Sequence, residues 1–196
     1  MRYRADITAG ALKVPESRKI ADLLLRGADA AAWQTALYQQ NILQTRRPET
    51  ARRLARLIRE RLLSMDAGLW TLVRDGSTTV ATHACLAAAV KHSALLGDFL
   101  DLVVREHYRR FAVTLSAQTW EAYLEACRGR DPAMPRWRDS TIARLRSTVF
   151  QVLAQTGYIE NTRTLKLQPV HLAPPVIGYL QNHHENYVLR CLQVAP

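Results

Sequence analysis

The sequence predicts a mainly α fold: an N-terminal helical bundle, residues 1–115, then a winged-helix-like region, residues 116–196, with a small β-hairpin or three-stranded sheet. Apolar residues recur with a helical period through most of the first 127 residues. The period drops to two near residue 165. Hydrophobic residues make up 48% of 196 positions, enough for a buried core. The two regions are also compatible with packing as one unit.

The first three helices are marked by the residues that start and stop them. Pro15 stands where the first turn of a helix tolerates proline, and Gly27 ends that helix. A second helix carries Trp33 and ends near Asn41. Pro48 opens the third helix, whose apolar residues are spaced to form one face. That face comprises Leu54, Leu57, Ile58, Leu62 and Met65.

Serine residues mark the starts of the next helices. After a short helical turn, LWTLVR, Ser77 is predicted to cap a helix that runs to about Lys91. Ser93 is predicted to cap another helix, with Phe111 on its inward face; the two helices could also be one longer helix. Ser116 is predicted to cap the helix that follows.

The C-terminal third predicts a helix pair followed by a hairpin. The connector GRDPAMPRWRDS precedes a strong helix, STIARLRSTVFQVLAQTG. TLKLQPVHL alternates apolar and polar residues and predicts a strand, for which Tyr158 and Ile159 supply a partner. A final helix is expected from Pro174 or Pro175, and NYVLRCLQV is expected to form a closing strand. This order predicts a winged helix; a generic α+β cap that completes the core is the alternative.

Positive charge is abundant and unevenly distributed. The chain has 23 arginines and 4 lysines and a net charge of +10. Residues 44–64 hold seven arginines against two glutamates, and residues 128–146 hold six arginines against two aspartates, so these stretches account for nine of the ten net charges. Guanidinium groups pair two-pronged with phosphate, so the excess favours a polyanionic partner. A genome rich in G and C is the alternative source of arginine.

The arginine-rich third helix is predicted to present its charges to solvent. At about 100° per residue, Arg52, Arg56 and Arg59 fall opposite the apolar face. Two carboxylates cannot neutralise seven guanidiniums, which favours an external anion. The alternative is a solvated face stabilised by pairs such as Arg56 with Glu60. The nucleic-acid-binding residues predicted here are Arg46, Arg47, Arg52, Arg53, Arg56 and Arg59.

The helix from Ser140 repeats this arrangement. Its outward side chains are of types that reach base edges and phosphates in the major groove, although a plain polar surface helix is the alternative. These outward residues are Arg144, Ser147, Thr148, Gln151 and Gln155. Two further cations, on the predicted wing, are expected to follow backbone phosphates. The nucleic-acid-binding residues predicted in this half are Arg136, Arg138, Arg144, Arg146, Gln151, Arg163 and Lys166.

The sequence contains no recognisable catalytic or cofactor-binding motif. The P-loop, GxGxxG, HExxH and GxSxG patterns do not occur. The three cysteines lack metal-ligand spacing, so no metal site, no cofactor and no enzymatic activity are predicted. The longest apolar run, Ala84 to Val90, is too short to span a bilayer. Widely spaced cysteines, odd in number, favour a cytoplasmic location.

Several segments together resemble the BrxA family of bacteriophage exclusion (BREX) systems. The segments are LKVPESRKIADLLLRG, RRLARLIRERLL, AVKHSALLGDFLDLVVREHYRRF, DSTIARLRSTVFQVLAQTGYIENTRTLKLQPVHLAP and YVLRCLQV. The resemblance implies a largely helical cytoplasmic protein without a catalytic centre. It also implies association with DNA binding, and genes for a DNA methyltransferase, an ATPase and a phosphatase-like protein nearby. Part of the fold is expected to resemble the RNA-binding factor NusB. No functional residues are carried over from the family.

Charge and resemblance together predict a non-enzymatic DNA-binding accessory protein of a BREX system that contacts mainly phosphate. One alternative is a scaffold whose arginines hold acidic surfaces of other BREX proteins. Another is an RNA-binding, NusB-like protein. The expected partners are duplex DNA, with RNA as the alternative, and other BREX proteins. A membrane is not expected as a partner, because the apolar face of the basic helix lacks Trp and Phe.

Overall fold

The structure, a computed structural model, describes residues 2–8 and 10–194. The prediction of a mainly helical chain is confirmed. In chain order the helices are α1 (Val14–Leu25), α2 (Ala30–Gln34), α3 (Pro48–Leu63), α4 (Ala67–Asp75), α5 (Thr78–His92), α6 (Ala94–Asp98), α7 (Arg105–Arg109), α8 (Ala117–Arg130), α9 (Asp139–Gln155), α10 (Pro174–Asn182) and α11 (Asn186–Leu192). Two π-helical turns, Thr35–Gln39 and Phe99–Val104, continue α2 and α6. Among these described helices, none combines the length and apolarity that crossing a membrane requires.

Helix α5 lies at the centre of the packing, in contact with α1, α3, α4, α10 and α11. Residues 83–90 are all buried. Many of their side chains are small, which lets neighbouring helices approach from several directions. The predicted cap is confirmed, because Ser77 Oγ accepts the Val80 N–H at 3.3 Å. Extended backbone at Ser93 separates α5 from α6, so the two are not one continuous helix.

A hydrophobic core joins both halves of the chain, with buried side chains from Tyr3 to Val194. Its aromatic centre lies where α8 meets the second π-helical turn. The ring centroid of Phe99 is 5.4 Å from that of Trp120 and 5.1 Å from that of Tyr123, both in edge-to-face geometry. The core therefore contains residues from both sides of the predicted boundary at residues 115 and 116. The division into two domains stays a prediction.

The predicted winged-helix β-hairpin and three-stranded sheet are wrong. Strand pairing in the described residues is limited to isolated antiparallel bridges. These bridges are Ile159 with Leu167 and Thr114 with Lys166. Leu165 has a left-handed backbone (φ 51°), which interrupts the extended chain. The Asn161 side chain accepts two backbone N–H groups and holds a turn, and Pro169 has no N–H to extend a ladder.

The predicted closing strand is also wrong, because NYVLRCL forms helix α11. Its buried residues, Val188, Cys191 and Leu192, lie three and four positions apart, as on one helix face. A helix of seven residues is too short for periodicity alone to separate it from a strand.

An N-terminal segment, residues 2–8 and 10–12, lies across the helices in irregular conformation. Tyr3, Ile7 and Leu12 are buried in the core. Asp98, which is also buried, accepts hydrogen bonds from Arg2 Nη2 at 2.9 Å and Tyr3 Oη at 2.7 Å. These contacts fix the segment, and its backbone carbonyls face arginines of α3 and α9, as described below.

Candidate nucleic-acid interface

Six arginines on and just before α3 form a basic surface, the α3 patch. All six side chains are exposed. The sequence explains their position, because Leu54, Ile58 and Leu62 occupy the buried face of the same helix. Pro48 in the first turn fixes where the helix begins. The patch consists of the arginines predicted to bind nucleic acid in this stretch, Arg46, Arg47, Arg52, Arg53, Arg56 and Arg59.

Few contacts within the protein satisfy these guanidiniums. Arg56 Nε lies 2.8 Å from Glu60 Oε1, and this hydrogen bond raises the pKa of Arg56 above its usual value. The Arg59 guanidinium carbon lies 5.3 Å from the Trp33 ring centroid, within the range of a cation–π contact. Within residues 2–8 and 10–194, the other four arginines form no ion pair. Their charge is therefore available to an external anion.

A groove of about 590 Å³ runs between α2 and α3 beside the patch. Arg52, Arg56 and Arg59 line it together with Trp33 and Leu37. The groove thus places three guanidiniums at the edge of an apolar floor. The residues that line the groove come from elements on either side of the loop between the first π-helical turn and α3. The proximity of Trp33 to these arginines was therefore not predicted from the sequence.

Arg61 belongs to the same helix but not to the α3 patch. It is 3% exposed, and its Nη1 and Nη2 donate to the carbonyls of Ala11 and Gly10 at 2.7 Å and 3.1 Å. Burial lowers the pKa of Arg61 to about 10. The sequence count of seven arginines therefore includes one that binds the N-terminal segment.

In the second stretch, residues 128–146, three of the predicted arginines lie at the surface with different surroundings. Arg136 and Arg138 are exposed and form no ion pair with any described residue. Arg146 faces Glu121 across 3.8 Å. Arg128, which precedes them, pairs with Glu125 at 2.8 Å.

Two other arginines of this stretch are held by the protein itself. Arg130 Nε donates to Tyr3 Oη at 3.0 Å, and its guanidinium carbon lies 5.8 Å from the ring centroids of Tyr3 and Tyr123. Arg144 Nε donates to the Thr8 carbonyl at 2.7 Å. These partners are neutral groups, which a count of acidic residues does not detect.

The outward face of α9 is only partly free. Gln151 and Ser147 are exposed, as predicted, but Thr148 is buried and was wrongly placed outside. The Gln155 side chain accepts the Leu12 N–H at 3.2 Å. The N-terminal segment therefore occupies part of the face that was predicted to enter a major groove.

Arg163 and Lys166 are exposed on the loop that replaces the predicted wing. Backbone pairing places this loop beside the segment between α7 and α8, because Thr114 forms its bridge with Lys166. The same segment carries Phe111, two positions after Arg109, and both side chains are exposed but were not selected from the sequence. The sequence RRF at residues 109–111, two cations followed by an aromatic residue, could have indicated this surface. Phe111 was instead wrongly predicted to face inward.

Metal-binding, histidine and cysteine sites offer little further chemistry among the described residues. No group of three or more His, Cys, Asp or Glu side chains there is arranged to hold a metal ion. His83 is buried, and its Nδ1 accepts the Ala173 N–H at 3.0 Å. Burial lowers the pKa of His83, which keeps the ring neutral as this hydrogen bond requires. All three cysteines are buried.

Comparison with known proteins finds similarity along the chain. The family model described as BrxA matches residues 1–184. A BREX protein BrxA from Paramagnetospirillum magneticum is 50% identical over 194 residues, covering 99% of this chain and 98% of the relative. A BREX protein BrxA from Escherichia coli O9:H4 is 34% identical, covering 96% and 88% of the respective chains. The crystal structure of an uncharacterized protein from Magnetospirillum magneticum superposes with a TM-score of 0.92 at 48% identity, covering both chains completely.

Proposed function

The chain belongs to the BrxA family, and from this premise we propose that it is a non-enzymatic DNA-binding accessory protein of a BREX anti-phage system. Both curated relatives above are named as BREX proteins. Other BREX proteins are therefore the partners expected beside duplex DNA.

The observation that carries the proposal is the α3 patch. Six exposed guanidiniums share one helix and the turn before it, and among the described residues only Arg56 has a carboxylate partner. Like charges so close together repel one another, and a polyanion that replaces their small counterions relieves this repulsion. Duplex DNA carries one negative charge per about 1.7 Å of axis, so a row of guanidiniums along a helix can meet several phosphates.

Contact mainly to phosphate follows from how the α3 patch and α9 differ. The α3 patch presents arginines without glutamine or asparagine among them, and phosphate contacts position a protein without reading sequence. Helix α9 carries the glutamine that could read a base, Gln151, but the N-terminal segment occupies its neighbours. Weak sequence preference is therefore expected.

A salt titration of DNA binding tests the proposal directly. If about six phosphates are neutralised, the logarithm of the association constant should fall against the logarithm of salt concentration with a slope of roughly −5. Fluorescence anisotropy with a labelled duplex measures this slope. A slope near zero, or no duplex binding at low salt, would contradict the proposal, and stronger competition by structured RNA would redirect it to RNA.

Substitution of Arg52, Arg56 and Arg59 by Gln tests the location of the site. Loss of the phosphate contacts of Arg52 and Arg59, with that of Arg56 limited by its pair with Glu60, should reduce the slope from roughly −5 to about −3. Reversal of the same three residues to Glu should remove most binding. The melting temperature should stay nearly unchanged in both variants, because none of these side chains is buried.

A control with the same loss of charge separates a local contact from overall electrostatics. Arg26, Arg128 and Arg190 each pair with a carboxylate of this chain, at 2.7, 2.8 and 3.0 Å. Their replacement by Gln should leave the slope near that of the unchanged protein. Equal losses in the two triple variants would show that net charge, not the α3 patch, determines binding.

A further inference from the structure

Phe111 is a large apolar side chain that the fold leaves outside. It is 89% exposed, and Val113 two residues later is 64% exposed. Both follow the end of α7 and precede α8. An exposed phenyl ring adds nothing to the core and is free to make a contact outside the described chain.

The backbone at Phe111 is also unfavourable for phenylalanine. Its φ is 54°, in the left-handed region. The Phe111 N–H donates to the Tyr108 carbonyl and the Ala112 N–H to the His107 carbonyl, the two hydrogen bonds of a Schellman helix end. The residue at this place is usually glycine, which has no Cβ to strain. Helix termination therefore does not explain why a phenylalanine stands here.

Hydrogen bonds fix the backbone on both sides of Phe111. Tyr108 Oη donates to the Gln168 carbonyl, which ties α7 to the loop between α9 and α10. The Leu167 N–H donates to the Val113 carbonyl at 2.9 Å, and the Leu115 N–H donates to the Leu165 carbonyl at 3.0 Å. The ring thus projects from a braced turn.

Basic residues lie on the chain segments on either side of the bridge between Thr114 and Lys166. Four of them are exposed: Lys166 at the bridge, Arg109 and Arg110 before Phe111, and Arg163 three positions before Lys166. Two carboxylates are also present: Glu106 pairs with Arg110 at 2.7 Å, and Glu160 accepts the Thr164 hydroxyl at 3.0 Å. The remaining three cations form no ion pair in the part of the chain described. This arrangement combines an apolar projection with an excess of positive charge.

We propose that Phe111 is a wedge that inserts between base pairs of duplex DNA from the minor groove, while Arg109 and Lys166 contact the flanking phosphates and Arg163 a phosphate farther along the duplex. Apolar wedges on basic surfaces partly unstack a base step and bend the duplex toward the major groove. The inference rests on the proposed DNA binding and adds a second contact, distinct in chemistry from the α3 patch. The excess of positive charge on these two segments favours DNA over an apolar protein surface.

Phe111→Gly tests the wedge without weakening the fold. Glycine removes the ring and suits φ 54°, so the melting temperature should be equal or higher. DNA affinity should fall by about 5- to 150-fold, the range for loss of one stacked base. A duplex labelled at both ends should lose its protein-induced bend, measured by energy transfer. A 2-aminopurine at the unstacked step should lose its fluorescence increase.

Two further variants serve as controls. Phe111→Leu keeps an apolar wedge and should retain most of the bend. Leu102→Gln removes an apolar side chain that is 46% exposed on the second π-helical turn and should change neither affinity nor bend. Loss of the bend in Phe111→Gly together with its retention in these two variants would support the wedge.

Several outcomes would overturn the inference. If Phe111→Gly binds and bends DNA like the unchanged protein, the wedge is wrong, while the salt slope assigned to the α3 patch still supports DNA binding. If the variant changes only the sedimentation of the protein, the ring is a contact between copies of this chain. If it changes only the binding to anionic lipid vesicles, the ring is a membrane contact. Absence of duplex binding by the unchanged protein would overturn both proposals.

Discussion

The two arginine-rich stretches look alike in sequence and differ in structure. Residues 44–64 and residues 128–146 each combine six or seven arginines with two acidic residues. In the first stretch most guanidiniums point to solvent with little to bind them. In the second, Arg130 and Arg144 bind a tyrosine hydroxyl and a backbone carbonyl. Equal charge density therefore corresponds to unequal availability for an external anion.

The difference shows that a count of acidic residues underestimates how a protein satisfies its own arginines. A guanidinium offers five N–H donors and a flat face, so carbonyl oxygens and aromatic rings serve as partners. The N-terminal segment supplies several of these groups, through Tyr3, Thr8 and Ala11. These partners lie 50 to 136 positions away along the chain, which local spacing cannot reveal.

The largest effect on stability is expected at Arg61, the arginine of α3 that behaves like those of the second stretch. Arg61→Met leaves the carbonyls of Gly10 and Ala11 without their donor. The free energy of unfolding should fall by about 3 kcal/mol, and the melting temperature by roughly 6–12 °C. Thermal unfolding followed by circular dichroism measures both.

Arg53→Met, in the same helix, is the matched control. Arg53 is exposed, so its substitution should change the free energy of unfolding by less than about 0.5 kcal/mol. It should instead make the salt slope of DNA binding less negative by about one. If Arg61→Met weakened DNA binding while leaving stability intact, the division between buried and available arginines would be wrong.

A smaller effect is expected within the second stretch. Arg130→Met and Arg144→Met should each lower the free energy of unfolding by about 1 kcal/mol, because each loses a hydrogen bond and Arg130 also loses its tyrosine contacts. Arg136→Gln and Arg138→Gln should leave stability unchanged and make the salt slope less negative, since both are exposed and form no ion pair with a residue that the structure describes. Urea denaturation and the salt titration measure the two properties.

The reverse pattern would change the assignment of this stretch. Arg144 was predicted to contact nucleic acid, and a variant that loses binding without losing stability would show that its bond to Thr8 opens in the complex. A lower free energy of unfolding in Arg136→Gln would indicate that Arg136 makes a stabilising contact that is not seen among the described residues.

The sequence predicted what depends on local periodicity and missed what depends on distant contacts. The exposed row on α3 follows from a 3.6-residue period over sixteen residues. The predicted hairpin was wrong because the left-handed backbone at Leu165 and a turn held by a side chain interrupt strand pairing. Helix α11 was predicted as a strand because seven residues are too few for periodicity to distinguish the two. Phe111 was assigned inward because its spacing fits the preceding helix, whereas that helix ends at Arg109.

The groove beside α3 and the arginines bound by the N-terminal segment could not be predicted from the sequence for another reason. Trp33 reaches Arg59 only through the packing of α2 and the first π-helical turn against α3, and Thr8 reaches Arg144 only because the N-terminal segment crosses α9. Both are tertiary placements. A hydrophobic pattern fixes which residues are buried but not which surface neighbours they acquire.

The smallest effect should be a gain of binding within the α3 patch. Glu60→Gln removes the carboxylate that pairs with Arg56 at 2.8 Å and frees this guanidinium for phosphate. DNA affinity at low salt should rise by about two- to fivefold, and the salt slope should become more negative by up to about one, as for one added phosphate contact. Anisotropy titrations at several salt concentrations measure both quantities.

Glu49→Gln removes the same charge from the same helix and separates this local effect from overall charge. Glu49 is exposed in the first turn of α3, where the helix dipole favours a carboxylate, and it forms no ion pair among the described residues. Its substitution should slightly lower stability and raise affinity less than Glu60→Gln does. Equal gains would mean that Arg56 is already available in the unchanged protein, and the surface ion pair would then have no measurable effect on binding.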